Sequence, residues 1–321
     1  MRGFFAMDQS IVFDGGWRIL QGQIPYRDFI IPFGPFSMWL QAAAFRLLGV
    51  NYFAHVLPAS LMNALGACLA YAVFKKLVPR RVWPALTAGL ITGSWLYAPM
   101  GTIYLEQTAF VGVWIALTMV VFGADSPRLY ARVGWMVGAG LALSAALLSK
   151  TNAGGLAVPF VFLTAVLLPS PDRRKWLADG TAIGLGLAAG LGLFFFWLTS
   201  FSDLSSFREI VLGAGGHEGR KRVFQNKEVV YLVSSLLTGK GNDLIRILQV
   251  TSYTLLGLGL TLAIGSGRIT AAAACLRSLG WLGILWIAYQ LVFGITSNNN
   301  GINEQPFLGL ALVCTVVVAF G

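Results

Sequence analysis

Charge is what this sequence has least of. Asp, Glu, Lys and Arg make up 11% of its 321 residues, where a soluble domain carries about 25%. Acids are rarest, with 13 Asp and Glu against 23 Lys and Arg, and there are two histidines. A His-rich metal site is therefore excluded, while a divalent cation held by carboxylates stays open. The three cysteines form no CxxC pair and have no histidine near them, so neither a disulfide framework nor a zinc site is supported. The net charge of +10 is dispersed over short loops rather than gathered on one polar face, which argues against a nucleic-acid partner.

What is abundant is apolar sequence in runs of spanning length. Such runs cover residues 54–74, 83–101, 107–123, 133–148, 154–168, 180–198, 248–264, 279–295 and 306–320. The expected fold class is an all-α polytopic membrane protein, because a helix satisfies its own backbone in lipid and the alternation of a membrane barrel is missing. Cytoplasmic loops carry the excess of Lys and Arg. Loops 75–81, 124–132, 169–175 and 265–277 hold eleven of them, and the alternate short loops near 102, 150 and 297 hold one, Lys150. The second set, the long loop 199–247 and the residues entering Ala54 are then extracytoplasmic. Residues 34–49 make a short run in which Gly34, Pro35 and Gly49 suit a helix lying at the outer interface. Were that run to span, residues 8–33 would be cytoplasmic instead.

The organisation expected from this pattern is a first extracytoplasmic loop with interfacial helices over residues 1–53, a transmembrane core over 54–198, an extracytoplasmic loop over 199–247 and C-terminal transmembrane helices over 248–321. No acid falls at the centre of a span, whereas ion-coupled transporters and pumps place ionisable groups at depth. Residues 1–7 are too short for the apolar core of a secretory signal. The chain stops at Gly321 inside an apolar run, so truncation at both ends is expected.

The acids concentrate early. Asp8, Asp14 and Asp28 lie in DQSIVFDGGWRILQGQIPYRDFIIPFGPF, residues 8–36. A helix from about Ser10 puts Ser10, Asp14, Arg18 and Gln21 on one stripe, with apolar residues elsewhere. Asp14 and Arg18 are spaced to pair at i, i+4, and Asp8 reads as an N-cap. Gly22, Pro25 and Gly34 then break the helix and present Tyr26, Arg27 and Asp28 on an irregular segment.

This stretch resembles the first outer loop of the GT-C glycosyltransferases, the polytopic enzymes that use polyprenyl-phosphate sugars. They include protein mannosyltransferases, lipid A aminoarabinose transferases and the rhizobial galacturonosyltransferase-like group. Asp8 matches the acid that opens the family's loop, with Gln9 where Glu is usual. Gly22, Pro25, Tyr26 and Asp28 match the Gly-x-x-Pro-Tyr-x-Asp-Phe segment, and Gly34 and Pro35 match the turn into an interfacial helix. YLEQ (104–107) and LSKTN (148–152) are also similar to the family. A chain lacking the family's first span is expected, and Phe33 and Gly34 stand where some members carry Glu-Lys.

The resemblance implies a GT-C-like helical bundle in a bacterial inner or plasma membrane, with its active site on the extracytoplasmic side. It makes Asp8 the base that takes the acceptor's proton, with inversion at the sugar, and Asp28 a second acid toward a metal or sugar hydroxyls. Lys150 and Arg27 are candidates for the donor phosphate, and Tyr26 and Glu106 for the substrate. Each has a structural reading beside the functional one. Asp28 can pair with Arg27 or stabilise a turn, Glu106 can complement a helix dipole, and Lys150 can snorkel at a helix end. HEGRKR (217–222) reads as a solvated charge run or a contact to phosphate.

The expected partners are a polyprenyl-phosphate-linked sugar, an acceptor glycan, lipid or protein, and membrane lipids. A flippase or other transporter and a noncatalytic remnant of the family are the competing classes.

Overall fold

The computed structural model describes residues 8–96, 101–167 and 174–214 and most of 281–289. Among the described residues up to 214, nine α-helices follow in order: α1 (Asp8–Leu20), α2 (Phe36–Leu48), α3 (Phe53–Leu77), α4 (Trp83–Trp95), α5 (Leu105–Ala124), α6 (Leu129–Ser149), α7 (Thr151–Leu167), α8 (Arg174–Phe201) and α9 (Leu204–Phe207), the last running into a π-helical turn (Arg208–Ala214). Among the described residues no strand forms, and the one β-bridge joins Pro25 to Phe29 inside the first loop.

Length and apolarity decide which helices can cross a bilayer. Among the described residues four qualify: α3 with 25 residues, α5 with 20, α6 with 21 and, over Lys175–Phe201, α8 with 27. Helix α4, with 13 residues, falls short of the ~20 residues that a ~30 Å hydrocarbon core requires, and α7 is described over 17 residues, up to the edge of the described residues. Both lie in runs that the sequence marks as spans. The runs 248–264 and 306–320 lie outside the described residues, and 279–295 is helical where it is described.

α5 is apolar around its whole circumference apart from its first turn, and such a helix belongs at the centre of a bundle. It packs on α3, α6 and α7, and Phe110, Val113 and Trp114 are fully buried. α3 keeps most of its surface outside the protein, where lipid is as good a solvent for its side chains as another helix. α6 and α8 approach until their backbones touch. A Cβ on Gly140 would meet the Ile183 carbonyl oxygen, and one on Gly186 the Val137 carbonyl oxygen. Small residues permit this approach where apolar transfer no longer drives association.

α1 and α2 form an antiparallel hairpin beside the bundle. Phe13 packs edge-on to Phe45 at 4.8 Å and to His55 at 5.3 Å. α2 has 13 residues, about 20 Å of helix. Polar bonds tie it to α3: His55 Nδ1 donates to Gln41 Oε1 at 2.6 Å, and Gln41 Nε2 donates to the Ala54 carbonyl at 3.0 Å.

The two ends of the bundle are held differently. At one end Lys76 meets Asp125 at 3.0 Å, and Arg132 grips Asp179 bidentately, Nε to Oδ1 at 2.6 Å and Nη2 to Oδ2. At the other end lie Glu106, Lys150 and the loop that joins α1 to α2.

Candidate active site

The loop 21–35 is irregular because its sequence leaves no alternative. Gly22 adopts φ +83°, a conformation that costs glycine nothing. Tyr26 adopts φ 67°, which is unusual for a residue with a bulky side chain and costs roughly 1–3 kcal/mol. Several contacts hold it there. Its ring is buried and stands edge-on to Phe207 at 5.1 Å, its hydroxyl donates to the Phe33 carbonyl at 2.5 Å, and its N–H donates to the Phe29 carbonyl at 2.9 Å. Burial pushes the Tyr26 hydroxyl well above the usual phenol range, so it acts as a hydrogen-bond donor and not as an acid.

Two clamps fix this loop over the helix ends. Ser202 Oγ donates to the Pro25 carbonyl, and Arg27 Nη1 reaches the Phe201 carbonyl at 3.4 Å, which joins the loop to the end of α8. Gly34 joins it to α6, since any Cβ there would collide with the Leu148 carbonyl. Tyr26, Ile31, Met38, Leu148, Phe194 and Leu198 share one buried cluster. Leu148 is two residues from Lys150, so the loop and that lysine belong to one packed unit.

The charges are arranged as follows. Asp28 accepts from Arg27 Nε at 3.0 Å, from Arg27 Nη2 at 2.9 Å and from the Ile24 N–H at 2.7 Å. The Arg27 guanidinium, then the Ile24 amide, hold its carboxyl below the usual range. The same bond raises Arg27. Asp14 takes Arg18 Nε at 2.7 Å, and Arg18 lies over the Phe29 ring at 5.7 Å. Between α1 and the loop opens a groove of about 600 Å³, with Asp14, Arg18 and Asp28 at its rim and Ile31, Phe33 and Met38 among its apolar lining.

Tyr104 is the extended residue before α5, and Glu106 follows in the first turn. Glu106 is 1% exposed, and its Oε1 lies 2.8 Å from Lys150 Nζ. Gln107 is also buried, with Nε2 donating to the Ala59 carbonyl at 3.0 Å and to Asn63 Oδ1 at 2.7 Å.

Of the six candidates from the sequence, the structure joins Tyr26, Arg27 and Asp28 on one clamped loop and Glu106 to Lys150 in one ion pair. Asp8 is the first described residue of α1, and its side chain lies outside the described residues, as do His217 and HEGRKR. The Glu106–Lys150 pairing is not legible in the sequence beyond one hint: these are an acid and a base in two short loops that the charge pattern assigns to the same side. Among the described residues no three His, Cys, Asp or Glu side chains converge as metal ligands. Asp14 and Asp28 are each engaged by a guanidinium.

The model of the dolichyl-phosphate-mannose-protein mannosyltransferase family matches residues 32–199, just over half of the chain. The chain belongs to this family. It is therefore a member of the GT-C superfamily and an integral membrane protein. The matched region contains Glu106 and Lys150 and begins after Asp8, Tyr26, Arg27 and Asp28.

Two solved structures match the chain, the first of them similar in fold. The crystal structure of ArnT from Cupriavidus metallidurans bound to undecaprenyl phosphate superposes with a TM-score of 0.60 at 17% identity, over 97% of this chain and 55% of ArnT. The same protein in the apo state gives 0.49 at 13% identity, over 99% and 73%. In the first of these the chain spans about half the length of its relative. Among curated proteins none matches the sequence.

Proposed function

We propose that the chain forms the catalytic side of a membrane glycosyltransferase that moves a sugar from a polyprenyl-phosphate donor to an extracytoplasmic acceptor. The observation that carries this reading is the contact of Gly34 with Leu148, which fastens the loop bearing Arg27 and Asp28 to the helix end bearing Lys150. Two cations, Arg27 and Lys150, held on one packed unit are what a departing phosphate needs, because prepositioned charge meets the developing anion without reorganisation.

Phosphate leaves without being protonated provided that a cation meets its developing charge. One base is then enough. Asp8 accepts the proton of the acceptor hydroxyl as that oxygen attacks the anomeric carbon from the face opposite the phosphate, inverting the configuration. Lys150 meets the phosphate, with Arg27 as the second cation. Asp28 is held ionised by Arg27, and Tyr26 supports the loop, so both act through the shape of the segment that faces the sugar. Residues 1–53 and 199–247 form the extracytoplasmic face, and 54–198 and 248–321 the membrane part, in a bacterial inner or plasma membrane.

The test is transfer of a radiolabelled sugar from a polyprenyl carrier in membranes. Asp8→Asn is expected to lower the rate by about 10²-fold or more, the range for loss of a general base. Asp28→Asn is expected to leave the acid limb of the pH–rate profile in place, because a carboxyl held below the usual range does not set that limb. Unchanged transfer by Asp8→Asn removes Asp8 as the base. A wild-type chain that transfers nothing returns the transporter and remnant readings.

A further inference from the structure

Glu106 and Lys150 are unequal partners. The glutamate side chain is 2% exposed and the lysine side chain 26%. Glu106 lies in the first turn of α5, where the positive end of the helix dipole also favours its charge. It is held from two directions. Lys150 is the residue that ends α6, its ammonium carries three donors on a flexible stem, and Glu106 takes one of them. The carboxylate is fixed and the ammonium is the member able to move.

Transfer changes the charge on the lipid. The donor is a phosphodiester with one negative charge. As the acceptor oxygen bonds to the anomeric carbon, the bond from that carbon to phosphate oxygen breaks, its electron pair stays on the phosphate, and the acceptor proton goes to Asp8. The product is a phosphate monoester, whose second ionisation has a pKa of about 6, so at neutral pH it approaches two negative charges. An unopposed lysine would hold this product more tightly than the substrate, and turnover would stall at release.

We propose that Glu106 is a positioning residue that acts through Lys150, holding the ammonium between turnovers and competing with the lipid phosphate for it so that the dianionic product leaves. The inference rests on the assignment of Lys150 to the donor phosphate. It gives Glu106 a role at the phosphate in place of contact with the sugar, in keeping with its burial.

The experiment measures binding of undecaprenyl phosphate to the full chain in nanodiscs, alongside initial rates with and without added undecaprenyl phosphate. Glu106→Gln keeps the shape and removes the charge. Its Kd for undecaprenyl phosphate is expected to fall about tenfold, about 1.4 kcal/mol, while kcat falls and KM for the donor falls with it. Glu106→Asp should lie between the two, a restoration that a merely structural role would not give. An unchanged or weaker affinity in Glu106→Gln, with its thermal unfolding intact, overturns the inference. If Glu106→Gln does not fold, Glu106→Asp decides: tighter binding supports the inference and equal binding overturns it. Lys150→Ala separates this failure from failure of the underlying reading. Loss of binding in Lys150→Ala keeps the phosphate assignment whatever Glu106 does. Undiminished binding, or none by the wild type, removes both.

Discussion

Arg132–Asp179 and Glu106–Lys150 are both ion pairs between helices of one bundle, at opposite ends, and they are built to different rules. Arg132 and Asp179 are both buried, at 8% and 6% side-chain exposure. Two parallel N–H bonds join them, and Arg132 Nη1 also donates to the Ala124 carbonyl at 3.2 Å. Arginine's planar fork suits a pair meant to stay closed. The Glu106–Lys150 pair has one buried partner and one partner that reaches the surface. A lysine is a point charge that can change its counter-ion. The Arg132–Asp179 pair at one end of the bundle is locked, and the Glu106–Lys150 pair at the other keeps a cation near the surface.

That contrast can be broken most severely at the locked end. Asp179→Ala leaves the Arg132 guanidinium buried without its partner, and loss of one member of such a pair costs about 3–5 kcal/mol. Unfolding of the purified variant in nanodiscs should show a loss of this size. A loss below about 1 kcal/mol, the range of an exposed pair, would erase the difference between the ends. Gly34→Ala is next. Its added Cβ meets the Leu148 backbone, which has no flexible end to move aside, and overpacking of this kind costs about 1–3 kcal/mol. Sugar transfer should fall further than the unfolding midpoint does, because the loop shifts relative to Lys150. The smallest effect belongs to Asp14→Ala. Asp14 and Arg18 are 54% and 36% exposed, and a helix-surface pair at i, i+4 is worth about 0.3–0.5 kcal/mol. A large loss of transfer in Asp14→Ala with stability unchanged would draw the groove beside α1 into the catalytic face.

Local features were legible in the sequence wherever their cause was local. The i, i+4 spacing predicts the Asp14–Arg18 pair, and it forms at 2.7 Å. The glycines and prolines after Leu20 predict an irregular segment, and α1 ends at Leu20 with α2 starting at Phe36. Adjacent charges predict that Arg27 and Asp28 pair, and they do. The left-handed backbone of Tyr26 could not be read in the same way. Nothing near it requires φ 67°; Phe207, in a distant element, and the Phe33 carbonyl hold it. Burial of Glu106 was equally hidden, since an acid at a helix start looks the same whether solvent or a lysine faces it.

The sequence by itself determined that this chain is helical, membrane-embedded and poor in acids, because hydropathy, periodicity and charge count are properties of short windows that need no partner. It also marked residues 8–36 as the place where charge, glycine and proline coincide. Only the tertiary structure decided that Gly34 rests on Leu148, that Tyr26 is pinned between α8 and its own loop, and that Lys150 shares its charge with Glu106. These contacts join residues far apart along the chain, and their geometry is set by how closely α5, α6 and α8 pack, which no local pattern encodes.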